Sequence, residues 1–328
     1  VLEHGGRLRS AAARHGIPLA DWLDLSTGLN PLGYPVPPLP AEAWQRLPEE
    51  DDGLEDAAAG YFGTRELLPV AGSQAAIQAL PALIPGRHVS LLVPGYAEHA
   101  HAWRGRTPHH RTAAELDAAV DASDVVVLVN PNNPTGTRFG RDVLLDWHAR
   151  LARRGGWLIV DEAFIDAEPE DSLAPLAGRP GLVVLRSLGK FFGLAGARVG
   201  FVLAPPALRL QLAAALGPWA VSGPGRHAAR HALADREWQR QARLRLAGEG
   251  ARLAQLLYAT GLGTPSGPAL FKWLAHPRAA ALHESLARRG ILVRLFDEPA
   301  SLRFGLPPDE PGWARLGAGL RAALREIG

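Results

Sequence analysis

The chain contains no cysteine and no methionine in 328 residues. Without cysteine there are no disulfides, no thiolate nucleophile and no cysteine-ligated zinc. Methionine is missing even from position 1, so the numbered start reads as a processed end or an arbitrary boundary. No apolar run approaches the ~20 residues of a membrane span, and the opening "VLEHGGRLRS" lacks the apolar core of a signal peptide. The cytoplasm is therefore the expected compartment. Charge of one sign hardly accumulates either: 35 Lys+Arg against 33 Asp+Glu leaves +2. With no basic block interleaved with aromatics, neither nucleic acid nor membrane is an expected partner. The histidines of "HAHAW" (99–103) and of the pair at 109–110 have no acidic partner at ligand spacing. They read as surface or interface residues, and no metal site is expected.

What is present is an ordinary globular composition, 47% hydrophobic and 21% charged, in a chain long enough for a large core and two lobes. Short apolar runs recur in "HVSLLVPGY" (88–96), "DVVVLVNPNNPTG" (124–136), "WLIVDEAF" (157–164), "LVVLRSLGK" (182–190) and "VGFVLA" (199–204). Such uninterrupted runs fit strands buried on both faces, which predicts an α/β fold with a mostly parallel sheet between helices. Between two of them, "RDVLLDWHARLARRGG" predicts a helix with Val143, Leu144, Trp147 and Leu151 on its buried face. From residue 226 an arginine-rich helical stretch leads to the strands "ALFKWLA" and "ILVRLF", then "SLRFGLP" and a last helix near 310–327, a smaller α+β lobe. The expected organisation is an N-terminal arm over 1–40, rich in Pro and Gly and extended, a large domain over 41–225 and a small domain over 226–328.

Polar residues gather where the apolar runs end. Lys190 lies beyond a buried strand, in "VLRSLGKFFGLAG". Desolvation disfavours its ammonium form, and a neutral amine there is a nucleophile suited to a Schiff base with a carbonyl. Ser187 and Arg198 flank it with a hydroxyl and a guanidinium, both phosphate ligands. In "AGSQAA" (71–76), Gly72, Ser73 and Gln74 sit where a loop enters a helix, so backbone N–H groups and the helix dipole offer a second anion site. Asp161, at the mouth of its strand, can keep a pyridinium nitrogen protonated. The turn "NPNNPTG" presents Asn133 as an amide donor, and Tyr96, after "VPG", is placed to stack on an aromatic ring.

Taken in order, these positions resemble the fold-type I pyridoxal-phosphate enzymes, the aspartate aminotransferase superfamily (class I/II), over essentially the whole chain. The resemblance implies pyridoxal 5′-phosphate as cofactor, with Lys190 as its covalent anchor and Asp161 on the ring nitrogen. Asn133 would meet the ring oxygen, Tyr96 would stack on the ring, and Gly72, Ser73, Gln74, Ser187 and Arg198 would hold the phosphate. Tyr61, in "AAAGYFGT", matches a tyrosine that reaches the cofactor phosphate of the other subunit, which implies a homodimer with shared sites. Arg303, in "SLRFGLP", matches the arginine that binds the substrate carboxylate. One departure stands out: where many relatives carry a tyrosine three residues after the aspartate, this chain has Phe164.

Within that superfamily, "SLGKFFGLAGARVG" and "DEAFID" look most like the histidinol-phosphate aminotransferase branch. The arm "EHGGRLRSAAARHGIPLADWLDLSTGLNPLG" and the segment "RRGILVRLFDEPASLRFGLP" are similar to the cobalamin-pathway threonine-phosphate decarboxylases. That resemblance implies His4, Asn30, Arg294 and Arg303 as substrate-binding residues. The implied reaction is decarboxylation of L-threonine O-3-phosphate to (R)-1-amino-2-propanol O-2-phosphate. A histidinol-phosphate-type aminotransferase is the alternative; a non-catalytic pyridoxal-phosphate-binding regulator is a third reading, disfavoured because the first forty residues are too few and too Pro-rich for a DNA-binding module.

Overall fold

Each apolar run between 88 and 204 becomes a strand of one seven-stranded sheet. The computed structural model describes residues 4–328; Glu3 of the "EHGG" motif and the two residues before it lie outside the described residues. From edge to edge the sheet runs Leu67–Val70, Gly200–Leu203, Leu182–Ser187, Trp157–Asp161, Val125–Val129, Val89–Leu92, His109–Arg111. Neighbours are parallel except that Gly200–Leu203 runs antiparallel to both of its own. All five residues of Val125–Val129 are buried, as expected of a strand covered on both faces. On one face Val127, Ile159 and Val183 pack with Ile77 and Leu80 of helix Ser73–Leu83 and with Leu212 of helix Pro206–Leu216. Each such side chain contributes about 1.5–3 kcal/mol on leaving water, so the sheet is a stiff floor. Its register pairs Val129 with Asp161 and Asp161 with Leu185, which keeps the carboxyl ends of the central strands level. Open α/β sheets bind ligands at that edge.

The expected helix forms over Arg141–Ala152, but its buried face is Leu144, Trp147, His148 and Leu151, while Val143 is 44% exposed. That face has the i, i+3, i+4, i+7 spacing of a helix stripe. His148 belongs to it because a ring nitrogen lies 2.9 Å from the Pro180 carbonyl oxygen, which satisfies its polar atom inside. The first forty residues are not wholly extended: Leu8–His15 is a helix, ended by Gly16 in the left-handed region (φ 64°). Proline and glycine are concentrated after residue 27, so nothing breaks helix formation before Gly16.

Two compact units emerge, one of residues 33–133 and 137–242, the other of the described residues up to Leu32 with 134–136 and 243–328. These divisions differ from the expected 40/41 and 225/226. Helix Gly223–Ala234 stays with the larger unit because Arg226, 5% exposed, bonds Asp52 and Glu55 at 2.7 Å, and Arg230 donates to the Asp52 carbonyl oxygen. The smaller unit holds an antiparallel sheet ordered Arg294–Phe296, Ser301–Gly305, Phe271–Ala275, together with helices Ala279–Ala287 and Glu310–Ile327. The run "ILVRLF" is two strands: Ile291–Leu292 pairs in parallel with Leu23–Asp24, and after Val293 the chain joins the other sheet. Among the described residues no helix is long and apolar enough to cross a membrane.

Candidate active site

The larger unit assembles an anion cup from three strand ends. Helix Ser73–Leu83 starts after Gly72, and no side chain caps it, so its first N–H groups point outward undiverted. Gly72 has φ 75° and ψ 157°, a conformation only glycine adopts readily, and a Cβ there would stand 2.7 Å from a terminal nitrogen of Arg198. Arg198 itself has φ 53°, a positive value rare for a residue with a side chain, which turns its guanidinium to that loop. Ser187 pairs in register with Gly200, and a Cβ on Gly200 would stand 2.5 Å from the Ser73 nitrogen. Ser73, Ser187 and Arg198 are thus brought together as donors around Gly72 and Gly200, where the backbone is packed too closely for side chains.

Beside the cup lies a buried carboxylate. Asp161, 3% exposed, has one oxygen 3.0 Å from Nε2 of His99, itself 6% exposed, and accepts from the Ala163 N–H with the other at 3.1 Å. Sequence reasoning passed over His99 as a surface residue. The one available signal was its place in the first turn of helix Ala97–Trp103, three residues after Tyr96, facing the strand ends. Tyr96 donates its hydroxyl to Gln74 Oε1 at 3.3 Å, and its ring meets that of His99 edge-on at 6.1 Å and 81°. Burial, with the negative charges of Asp161 and Glu98, pushes the Tyr96 pKa up to about 12 against the pull of Arg198. The phenol is therefore a neutral donor at any physiological pH.

Lys190 follows the strand Leu182–Ser187, and its amine lies 5.4 Å from the centre of the Phe164 ring, whose edge carries no hydroxyl. Asn133 sits in a braced turn: Asn132 donates to the Pro94 carbonyl oxygen at 2.8 Å, and Asn130 exchanges bonds with Phe139 at 2.9 and 3.0 Å. Within its own chain the Tyr61 hydroxyl donates to Asp166 at 2.7 Å. It thereby joins a buried cluster in which Arg186 pairs with Asp166 and, at 3.1 Å, with Glu162, and Ser172 donates to Glu162 at 2.6 Å. Glu162 and Arg186 are the sequence neighbours of Asp161 and Ser187, and alternation along strands sends them to the opposite face.

The smaller unit gathers the residues implied to bind substrate. His4 and Arg294 line one cavity of about 580 Å³, with Gly5, Arg7, Ser26 and His283. The "HGG" element is shaped by Ser26: a Cβ on Gly5 would stand 2.3 Å from its carbonyl oxygen, and Gly6, at φ 79°, donates to its Oγ at 2.8 Å. Arg303, 6% exposed, donates to that same carbonyl oxygen at 2.8 Å. Arg294 and Arg303 are direct partners across their antiparallel strands. Burial and then the charge of Arg294 pull the Arg303 pKa down to about 10, so the pair is an anion site whose own charges repel. Burial also lowers the His283 pKa, leaving the positive charge to the arginines. Asn30, 3% exposed, uses its side-chain oxygen inside the unit, accepting from Leu32 N at 3.0 Å and Arg245 at 2.8 Å.

This donor set fits pyridoxal phosphate. The cup is a ring of N–H, hydroxyl and guanidinium donors for a dianion, and the close-packed glycines at 72 and 200 leave backbone exposed where side chains would stand. Asp161 suits a protonated pyridine nitrogen and the Lys190 amine an aldehyde. Among the described residues no group of three or more His, Asp or Glu could hold a metal ion. The sequence matches the family described as aminotransferase class I and II over residues 46–326. It is 59% identical to a threonine-phosphate decarboxylase of Pseudomonas aeruginosa, over 98% of this chain and 97% of that protein. It is 44% identical to a threonine-phosphate decarboxylase of a Sinorhizobium species, over 96% of each. In fold it is similar to the histidinol-phosphate aminotransferase of Sinorhizobium meliloti solved with pyridoxal-5′-phosphate, with a TM-score of 0.85 at 22% identity, covering 100% of this chain and 96% of that one.

Proposed function

We propose that this chain, which belongs to the aminotransferase class I and II family, removes CO2 from L-threonine O-3-phosphate, with pyridoxal 5′-phosphate as cofactor. The product is (R)-1-amino-2-propanol O-2-phosphate, the aminopropanol unit of the cobalamin side chain. The observation that carries this reading beyond the family is the near-full-length identity of 59% with a protein of that name. The site chemistry agrees with it. Arg294 and Arg303, opposed across one strand pair, suit a substrate with two anionic groups, a carboxylate and a phosphate. Histidinol phosphate brings only one.

Bound pyridoxal phosphate supplies an electron sink for the bond broken at the substrate Cα. Asp161, steadied by His99 and the Ala163 N–H, keeps a proton on the ring nitrogen, the condition for that sink. Ser73, Gln74, Ser187 and Arg198 anchor the phosphate, while Tyr96 and Asn133 fix the ring's plane and rotation. Lys190 would hold the cofactor through its amine before substrate arrives, and its Nζ is the group that would carry the proton for the substrate Cα. Arg294 and Arg303 decide which bond breaks by fixing the substrate's anionic groups, with His4 and Asn30 completing that site.

The same reading makes the enzyme a cytoplasmic homodimer. On the larger unit Trp44 (70% exposed) and Trp219 (58%) line one groove, an apolar surface that suits a second copy. The reaction is tested by supplying threonine phosphate or histidinol phosphate with and without 2-oxoglutarate. Turnover of threonine phosphate alone is expected; a strict requirement for 2-oxoglutarate would overturn the reading in favour of an aminotransferase.

A further inference from the structure

We propose that Glu98 is a positioning residue of the cofactor site, acting on Tyr96 through the amide of Gln74. The inference rests on the reading above that Tyr96 stacks on the cofactor ring. Glu98 lies in the first turn of helix Ala97–Trp103, 9% exposed, between Tyr96 and His99. Its Oε2 accepts from Gln74 Nε2 at 2.7 Å and from Gln78 Nε2 at 3.1 Å, two donors one turn apart on helix Ser73–Leu83. An ionised carboxylate only accepts. Gln74 must therefore turn its NH2 toward Glu98 and its carbonyl toward the Tyr96 hydroxyl, which donates to it at 3.3 Å. The opposite amide orientation would set carbonyl against carboxylate and leave the phenol accepting from N–H instead of donating.

The position of Glu98 argues for such a task. It bonds the second residue of the helix whose N-terminus forms the phosphate cup, where a negative charge opposes a dianion. A carboxylate in that place hinders anchoring of the phosphate; what it adds is a direction for the amide, hence for the phenol. The Tyr96 ring is thereby held at two points, its hydroxyl by Gln74 and its edge against His99, the residue that steadies Asp161.

A double-mutant cycle on the apo protein tests this, with the dissociation constant of pyridoxal phosphate read from quenching of protein fluorescence. Glu98→Gln raises that constant about fivefold when Tyr96 is present, the effect of losing one hydrogen bond. In the Tyr96→Phe background the same change leaves the constant unraised or lowers it, because the hydroxyl it acted on is gone while relief of the charge opposing the phosphate remains. Equal effects in both backgrounds would mean that Glu98 only supports the fold, and would refute the proposal. If Glu98→Gln accumulates unfolded, Gln74→Leu enters the same cycle with the same expected coupling. A wild-type protein that binds pyridoxal phosphate but releases no CO2 from threonine phosphate defeats the functional reading and leaves the cycle to decide this one.

Discussion

Replacing Arg294 by glutamine should leave the empty protein about as stable and make the enzyme worse. Arg294 faces Arg303 across the strand pair, and the Arg303 pKa falls from 12.5 to about 10. A fall of that size corresponds to about 3 kcal/mol of strain on the charged form. Burial supplies the larger part and the charge of Arg294 the rest. Removing that charge relieves the repulsion and costs the contacts of its guanidinium, that with the Phe296 ring among them. The two effects oppose each other, so the thermal midpoint of the ligand-free protein stays within about 2 °C of wild type. On the substrate side, loss of one charge-assisted bond to an anionic group lowers kcat/KM about 10- to 100-fold. Differential scanning fluorimetry of the apo protein and steady-state CO2 release give the two numbers. If stability and kcat/KM fall together, Arg294 is a structural residue and the anion-site argument is wrong.

Gly72→Ala should weaken binding of pyridoxal phosphate about tenfold, because its Cβ meets Arg198 at 2.7 Å in a backbone conformation that alanine avoids at a cost of ~1–3 kcal/mol; an unchanged dissociation constant in a fluorescence titration would refute the cup. Tyr96 has a pKa raised from 10 to about 12, so the stability it contributes is complete below pH 10 and is lost as pH rises through 12. Urea unfolding of wild type should lose about 2 kcal/mol over that window, a loss that Tyr96→Phe escapes; parallel pH profiles would contradict the assigned burial.

Much of the larger unit was legible because its strands are covered on both faces. Runs such as "VVVLV" leave no polar residue to hide, and the residues that break them, Asp161, Ser187 and Lys190, stand at the sheet edge where ligands bind. What the sequence concealed depends on contacts across distance. His99 meets Asp161 across 62 positions, and nothing near it announces that a histidine on a short helix is buried. Val143 is exposed, and His148 lies on the buried face because a carbonyl from Pro180 makes burial of the imidazole tolerable. The break in "ILVRLF" at Val293 was invisible, since an apolar run carries no mark of changing sheets. The bond from the Tyr61 hydroxyl to Asp166, beside the buried Arg186 and Glu162 pair, joins residues 105 positions apart and was equally hidden. The "HGG" motif acquired a physical reason only in three dimensions, where Gly5 and Gly6 close on Ser26, the residue whose carbonyl holds Arg303.

The central claim is that the bond broken at Cα is the one to the carboxylate. Incubating the purified holoenzyme with threonine phosphate labelled at the carboxyl carbon, and counting label released as CO2 against keto acid formed, tests it directly. Catalytic release of labelled CO2, many equivalents per enzyme with no keto acid, is the predicted result. One equivalent of keto acid per cofactor, with the label retained, would contradict it.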